Sequence, residues 1–504
     1  MRFNLLLLVS VFVVATCGLI YELVAGTLAS YLLGDSVTQF STIIGVYLFS
    51  MGIGSFISRY FNKNLLAWFV QIEILVGIVG GFSSSILFIL FEHVESFRLI
   101  LYMLVFLTGS LVGLEIPLLM RILKNRYEFK DLVSQIFTFD YIGALLASLI
   151  FPLILVPYLG LVKTSFFFGI LNVGVALVVC VKFQDELRWA YYMRSQAIVV
   201  IIALLAGFVF SENIMSFTES NSYAHKIIYA KSSPYQRIVL TKNNSELRLF
   251  LNGNLQFSSA DEYRYHESLV HPGIQQLKSC DQVLVLGGGD GLAVREILKY
   301  DQVKSITLVD LDPEMTHLFK TNELLTKLNN NSLHSEKLKI INADAFTWVK
   351  SNDEETFDFI VVDFPDPSNY SIGKLYTDTF YKLLYKKLKS HGRVIIQATS
   401  PYVAPNSFWC INKTLNASGF QTIPYHTYVP SFGEWGYIMA FKENVNPAIS
   451  TEFISDVKFI TADLFRHMTT FPKDMLSEPE EINKLNNQVL VHYFEEEWSK
   501  FNHQ

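Results

Sequence analysis

Along the first 217 residues apolar positions run on without the regular polar interruptions that an amphipathic helix or a half-buried strand requires. Stretches long enough to cross a hydrocarbon layer of about 30 Å fall at roughly 5–33, 37–57, 65–91, 99–120, 136–159, 161–181 and 196–215, which predicts about seven membrane-spanning helices. A polar connection near Ser211 to His225 ends this region, and the pattern then changes. The runs KIIYA, QRIVLT and LRLFLNG alternate, separated by Lys-Asn-Asn-Ser and Asn-Gly turn signals, and predict a small antiparallel sheet. A helix from about Asp261 to Pro272 follows. Strand-like QVLVLGGGDG, SITLVDLD, LKIINAD, FDFIVVDF and GRVIIQA then alternate with helical stretches, the signature of a doubly wound α/β sheet. The divisions expected are a transmembrane helical domain over 1–217, a small β-sheet subdomain over 218–272, a Rossmann-like domain over 273–445 and a charged helical tail over 446–504.

Charge sharpens the division. Residues 1–217 carry 12 Lys+Arg and 12 Asp+Glu, and the remaining 287 residues carry 28 and 34, so the net charge of −6 falls wholly on the second half. An acidic soluble half argues against a nucleic-acid partner, whose phosphates need Lys and Arg, and favours cationic ligands. Four scattered cysteines without a CxxC pair suggest neither a disulfide framework nor a zinc site.

The first span carries Glu22 in place of a small-residue cleavage site and is read as a retained helix. Basic residues cluster after the second span (Arg59, Lys63), after the fourth (Arg121, Lys124, Arg126, Lys130) and around the last connection (Lys182, Arg188, Arg194), which by the positive-inside rule puts these loops and Arg2 in the cytoplasm. Seven crossings then deliver the soluble half outside, whereas the cosubstrate argued below is cytosolic. The expectation adopted is a multi-pass protein embedded in the lipid bilayer, the bacterial inner membrane if the family resemblance given below holds, with its soluble half in the cytoplasm; a split first segment or a last segment that does not cross reconciles the two signals. Glu22, Glu73, Glu115 and Asp140 lie inside apolar segments without matching cations, which reads either as a cation or proton path or as protonated groups bonded between helices. Gly45, Gly52, Gly54, Gly77, Gly80 and Gly81 suit close helix packing.

The chemistry gathers at the ends of the predicted parallel strands. Gly287, Gly288, Gly289, Asp290 and Gly291 follow an apolar strand and open a helix, where glycines let a nucleoside approach the backbone. Asp310 ends the next strand, where an acid grips ribose hydroxyls, and Asp344 ends the one after, placed to meet an adenine. Asp290 would repel the carboxylate of intact S-adenosylmethionine and attract a bare propylammonium group; binding only the ammonium of the intact molecule is the other reading. Asp363 and Asp366, in Val-Asp-Phe-Pro-Asp-Pro, suit an amine: one takes its proton while the other holds a distal ammonium. Tyr265, His266 and Glu267 on the preceding helix add an aromatic wall, a polar contact and a further acid.

With these residues in place, the soluble half resembles the spermidine synthase, or polyamine aminopropyltransferase, family from about Tyr229 to Phe441. The resemblance rests on SPYQ (Ser233 to Gln236), LNGNLQFSSADEYRYHESLVHP, GGGDG, VDLD, NADA and DxxDP in that order, and the whole chain looks like the membrane-fused bacterial branch, with IPLL in the fourth span and VPSFGEWGY near Tyr437. It implies a class I methyltransferase-type fold and aminopropyl transfer from decarboxylated S-adenosylmethionine to putrescine or a related amine, giving methylthioadenosine and, from putrescine, spermidine. It further implies Asp363 as proton acceptor, Gln236, Gly287, Gly289, Asp310, Asp344 and Ala345 around the nucleoside, and Tyr265, His266, Asp290 and Asp366 around the polyamine. No permanently bound cofactor and no metal are expected, and a homo-oligomer, taken as a dimer, is. Soluble relatives carry an aromatic residue shortly before the glycine that corresponds to Gly436; here Tyr428, Phe432 or Trp435 stands in, and Glu434 adds an acid, which leaves amine length selectivity open. The competing readings are a membrane-bound S-adenosylmethionine-dependent methyltransferase and a polyamine transporter or sensor with a non-catalytic binding domain.

Overall fold

The computed structural model describes residues 2–33, 36–91, 94, 97–124, 127–352, 355–442 and 453–502. It divides into two compact units, Met1–Lys226 and Ile227–Gln504. Arg126 of the expected basic loop and the expected boundary at 445/446 lie outside the described residues.

The first unit is a bundle of seven helices, α1 (Arg2–Leu33), α2 (Ser36–Ile57), α3 (Leu65–Phe91), α4 (Phe97–Leu123), α5 (Phe129–Ile150), α6 (Val156–Lys182) and α7 (Ala190–Ser222). Counted by unbroken helical stretch, six among the described residues are long and apolar enough to cross a membrane, because α5 and α6 join through the wide turn Phe151–Leu155 into one stretch of 54 residues, Phe129–Lys182. That length is about 80 Å at 1.5 Å per residue, far beyond one crossing, and Gly160 at φ +72° breaks the helical backbone within it. The last helix continues through the segment expected to be a polar connection, as far as Ser222.

Contacts fix the helix directions. Tyr47 Oη donates to the Gly18 carbonyl at 2.8 Å and Gly26 abuts Phe40, so α2 runs against α1. Gly109 and Gly113 of α4 lie on Tyr47 and Met51, so α4 runs with α2. Asn172 bonds Glu73 and Ser84 bonds Ser165, so α6 runs against α3. Lys163 pairs with Glu212 and Arg194 reaches the Cys180 carbonyl, so α7 runs against α6. The seven helices therefore alternate, α1 is one unbroken helix, and α7 ends at the face opposite the N-terminus. The three basic connections share the N-terminal face. Among the described residues α1 is not split, and α7 is long and apolar enough to cross, so neither feature by itself reconciles cytoplasmic basic loops with a cytoplasmic soluble half.

Small residues let these helices meet. A side-chain carbon on Gly54 would strike the Ser110 carbonyl and one on Gly113 the Met51 carbonyl; Gly77, Gly80 and Gly81 are crowded by Val173, Tyr21 and Leu204. Gly45 and Gly52 differ from the expectation, since nothing stands within 4 Å of a carbon added there.

The second unit opens with a four-stranded antiparallel sheet, β1 (Lys226–Ser232), β2 (Arg237–Lys242), β3 (Leu247–Leu251) and β4 (Asn254–Ser258), in spatial order β1-β2-β3-β4. Asn252 and Gly253, both at positive φ, form the β3–β4 turn. Helix α8 (Glu262–Ile274) leads into β5 (Gln282–Gly287), β6 (Ser305–Asp310), β7 (Leu338–Asn342), β8 (Phe357–Asp363), β9 (Leu388–Gln397), β10 (Gln421–Val429) and β11 (Gly433–Phe441). Their order is β10-β11-β9-β8-β5-β6-β7, with β5 to β9 parallel and β11 antiparallel to both neighbours. This is a Rossmann-like sheet of the class I methyltransferase type. Apolar strands buried on both faces explain the long uninterrupted runs: Val283 to Leu286 and Phe359 to Val362 are fully buried. Of the tail, Ala462–Met468 and Val489–Asn502 are helices, and the residues between them pack back onto the sheet domain, with Trp409 Nε1 donating to the Met475 carbonyl at 2.7 Å.

The glycine contacts carry a stability prediction. Gly113→Leu forces α2 and α4 apart against backbone, a cost of at least about 1 to 3 kcal/mol, and lowers the thermal midpoint of the detergent-solubilised protein, whereas Gly45→Leu leaves it within error. Equal midpoints for the two variants contradict the packing.

Candidate active site

Strand order reverses between β5 and β8, and an open parallel sheet binds its ligands in the crevice at such a point. Gly287 and Asp363 are register partners there. Gly287, at φ +79°, abuts the Asp363 carbonyl so closely that a side chain at 287 would collide with it. Gly289 likewise presses on Asp310, its N–H donating to Asp310 Oδ2 at 3.0 Å. The glycines thus hold the backbone down while the acids stand around it.

Tyr265, on α8, donates its hydroxyl to Asp363 Oδ1 at 2.6 Å. Burial, and then the nearby Asp290 charge, push the Asp363 carboxyl up to about 6. Burial pushes Asp366 up to about 7 against a long contact of 3.5 Å from Gln397 Nε2, and raises Asp310 to about 6. Asp290 is raised by burial against the attraction of His266, and its Oδ1 accepts from the Leu292 N–H at 2.9 Å. Asp290, Asp310, Asp363 and Asp366 each keep part of their surface exposed. Each of them prefers company of opposite charge, which an amine supplies.

His266 and the residues that support it are buried. Its Nδ1 lies 2.8 Å from Glu262 Oε2, and Arg295 grips both Glu262 oxygens at 2.8 and 2.9 Å. Burial opposes charge on His266, but the Glu262 carboxylate, with Asp290 and Asp363 behind it, raises the ring to about 9. Glu262 is held down at about 2 because its bonds to His266 and Arg295 outweigh its burial. The sequence reading missed Glu262, although it lies within DEYRYHES, and Arg295, for which an Arg on the helix after the glycine loop was the available signal.

Other expected residues fall as follows. Gln236, just before β2, donates to Asp312 Oδ2 at 2.9 Å, as does Ser233 at 2.6 Å, so the second acid of VDLD ties the small sheet to the end of β6. Asp344 caps the helix Ala345–Ser351 through Thr347 N at 2.8 Å and pairs with Lys374 at 2.8 Å, and Ala345 is buried behind it. Glu267 is not the further acid expected at the site. Its carboxylate accepts the N–H groups of Lys458, Phe459 and Ile460 at 2.7, 2.8 and 3.0 Å, and so anchors the tail.

Phe432 lies 6.3 Å from the Tyr265 ring and 5.3 Å from Trp435. Beyond it opens a cavity of about 430 Å³ lined by Tyr402, Tyr428, Phe432, Glu434, Asp474 and Trp498 among others. Tyr428 is more than half exposed there, and Glu434 is paired with His426 at 2.9 Å.

A glycine loop, an acid at the end of the next strand, and a carboxyl bonded to Tyr265 at the switch point make a crevice of the kind that nucleoside-dependent enzymes use. The comparisons with known proteins narrow this. Residues 262–451 match the spermine/spermidine synthase domain. The chain is 50% identical to a polyamine aminopropyltransferase of Leptospira interrogans over 98% of its own length and 99% of that protein's. It is 52% identical to polyamine aminopropyltransferase 2 of Ralstonia nicotianae over 99% of each chain. A spermidine synthase solved in complex with the transition state analogue AdoDATO is 25% identical, with a TM-score of 0.47 over 50% of this chain and 88% of that one. The chain belongs to the polyamine aminopropyltransferase family and is a transferase.

The Arg295–Glu262–His266 cluster sets a stability prediction. The Glu262 contribution is complete above its usual carboxyl range and is lost as pH falls toward about 2; the His266 contribution is complete below about 6.5 and is lost as pH rises through about 9. Glu262→Gln breaks a buried ion pair, leaving Arg295 with Glu296 alone and His266 without its carboxylate, and costs up to about 3 to 5 kcal/mol, which thermal unfolding at pH 6 reads as a lower midpoint. An unchanged midpoint removes the cluster from that role.

Proposed function

We propose that the catalytic unit transfers the aminopropyl group of decarboxylated S-adenosylmethionine to a primary aliphatic amine, putrescine above others, releasing methylthioadenosine and spermidine. The observation that carries this reading is the Tyr265–Asp363 hydrogen bond at the switch point, with Asp290 close enough to raise the Asp363 carboxyl.

The amine arrives as an ammonium and must lose a proton before its nitrogen has a lone pair. Asp363 accepts that proton, and Tyr265 fixes which oxygen is free to do so. The nitrogen then attacks the propyl carbon beside the sulfonium, and the carbon–sulfur bond breaks to leave a neutral thioether. No acid is needed for such a leaving group, so the remaining task is alignment of nitrogen, carbon and sulfur. Asp310 takes the ribose hydroxyls, Gln236 and the Asp344–Ala345 turn border the nucleoside, and Gly287 and Gly289 let it lie on the backbone. Asp290, backed by His266, takes the terminal ammonium of the aminopropyl group, and Asp366 the far ammonium of the acceptor. The aromatic cavity beyond Phe432 receives whatever length of acceptor extends past Asp366.

The reading places the soluble unit in the cytoplasm, where the cosubstrate is made, and the helical unit in the cell membrane. With seven alternating helices all crossing, that side is the one opposite the basic connections, so the cosubstrate chemistry is here set above the positive-inside preference. A reporter fused after Gln504 is expected to read cytoplasm and one fused after Arg194 the other side. A periplasmic signal from the Gln504 fusion overturns the placement.

Asp363→Asn is expected to lower aminopropyl transfer by about 10² to 10⁴-fold while methylthioadenosine still binds, as product analysis and calorimetry would read. With the amine binding as its ammonium form, wild-type kcat/KM is expected to fall as pH drops through the range between about 6 and 7, where Asp363 and Asp366 take up protons as a pair. A profile flat down to pH 5, or a loss under threefold in the variant, removes Asp363 as the base.

A further inference from the structure

The hydrogen bonds around Asp366 are incomplete. Gln397, at the end of β9, is the neighbour that reaches it, but the two N–H bonds of its amide go to the Phe364 carbonyl and to the Tyr376 hydroxyl, the latter at 2.9 Å. What is left for Asp366 Oδ1 is a contact of 3.5 Å, beyond the range of about 2.7 to 3.2 Å for a sound hydrogen bond. Tyr376 directs its own proton to the Phe364 and Pro365 carbonyls. No other side chain among the described residues donates to Asp366 within hydrogen-bond distance. Burial pushes the carboxyl up to about 7, and Gln397 and Thr399 are the side chains that hold it back from rising further.

Thr399 follows Gln397 by two residues, and its N–H donates to Gln397 Oε1 at 3.1 Å, so one amide stands between it and Asp366. Its φ is +58°, a left-handed conformation in which a β-branched residue is an outlier. The residue is fully buried, and its hydroxyl has no hydrogen-bond partner. The turn itself does not call for a threonine. Ala398 N–H donates to the Gly436 carbonyl at 2.9 Å and Gly436 N–H to the Thr399 carbonyl at 2.7 Å, bonds of backbone alone that glycine or asparagine at 399 would make with less strain. A threonine held there carries both backbone strain and an unsatisfied buried hydroxyl, and strain of this kind gathers at functional sites.

We propose that Thr399 is a positioning residue of the acceptor site, whose hydroxyl donates to the Asp366 carboxylate when an ammonium binds there and so helps to hold that carboxylate ionised for the far end of the amine. The identity of the ligand rests on the aminopropyl-transfer reading. In the empty site Asp366 is partly protonated near neutrality and does not require the donor. An arriving ammonium draws the carboxyl into its charged form, which has about four acceptor positions. One ammonium does not fill them, and a small rotation of the Thr399 side chain fills another.

The test uses the full detergent-solubilised chain, with putrescine binding read by calorimetry in the presence of methylthioadenosine and steady-state turnover read separately. Thr399→Val keeps the shape of threonine and removes the hydroxyl, Thr399→Ser keeps the hydroxyl and removes the branch, and Thr399→Ala removes both. The valine and alanine variants are expected to bind putrescine at least threefold more weakly and to raise its KM to match, with kcat within threefold and methylthioadenosine affinity unchanged, which also certifies the fold. The serine variant is expected to bind putrescine within threefold of the wild type. A loss under threefold in the valine variant, serine and alanine variants that behave alike, or an equal loss of methylthioadenosine overturns the role. Wild-type turnover with no difference among the variants removes Thr399 alone, whereas putrescine bound by the wild type without release of methylthioadenosine from decarboxylated S-adenosylmethionine counts against the aminopropyl-transfer reading and leaves the binding comparison to decide Thr399.

Discussion

The catalytic unit is organised by a crowd of carboxylates held at the carboxyl ends of three adjacent parallel strands. Asp290, Asp310 and Asp363 can stand so close only because Gly287 and Gly289 have no side chains: one lies against the Asp363 carbonyl and the other against the Asp310 carboxylate. Like charges at such a point raise each other's affinity for protons, and burial adds to it. An empty crevice of this kind is costly in its ionised form and becomes favourable when cations enter. The same crowding holds Asp363 up at about 6 and favours ligands that carry positive charge.

Such a site needs a counterweight that is not consumed by the ligand. Arg295 and His266 supply it through Glu262, which neutralises one of them and orients the other. His266 kept charged by Glu262 faces Asp290 and Asp363 with a fixed positive field, so the acids are not driven wholly to their neutral forms before substrate arrives. This arrangement also separates roles along α8. Tyr265 points its hydroxyl to the reacting carboxylate, His266 supports the field, and Glu267, one residue on, turns away to hold the backbone of 458–460. Three consecutive residues of a helix lie about 100° apart, which is why proximity in sequence to Tyr265 said nothing about sharing its site.

Much of this was legible in the chain. Strand-ending acids and a glycine loop mark an α/β nucleoside site because each feature has a positional meaning, and Asp290, Asp310, Asp363 and Tyr265 do meet at one crevice. What escaped was set by distant partners or by blurred periodicity, even within recognisable motifs such as VDLD. The pair β10 and β11 contains Pro424 and Gly436 and an irregular Ser-Phe-Gly turn, so period-two alternation is blurred there. Glu262, Arg295 and Asp312 act through partners 4 to 79 residues away, a relation that spacing cannot express. In the helical unit the apolar stretches were plain, but whether a glycine packs was not: Gly54 faces a neighbouring backbone and Gly52, two residues earlier, faces open space.

The two units handle negative charge in opposite ways. Around α8 nearly every buried acid has a named partner: Glu262 has Arg295 and His266, Glu296 has His271 and Lys299, and Glu267 has three backbone N–H groups. Those acids are finished structural elements, and a ligand gains little from approaching them. Glu73 and Glu115 have no comparable partners, although they are at least as deeply buried. Selection for stability alone favours replacing an unpaired buried acid with an apolar residue of similar size. Two such acids at one depth, on helices already held together by glycines that touch backbone, are therefore not accounted for by packing.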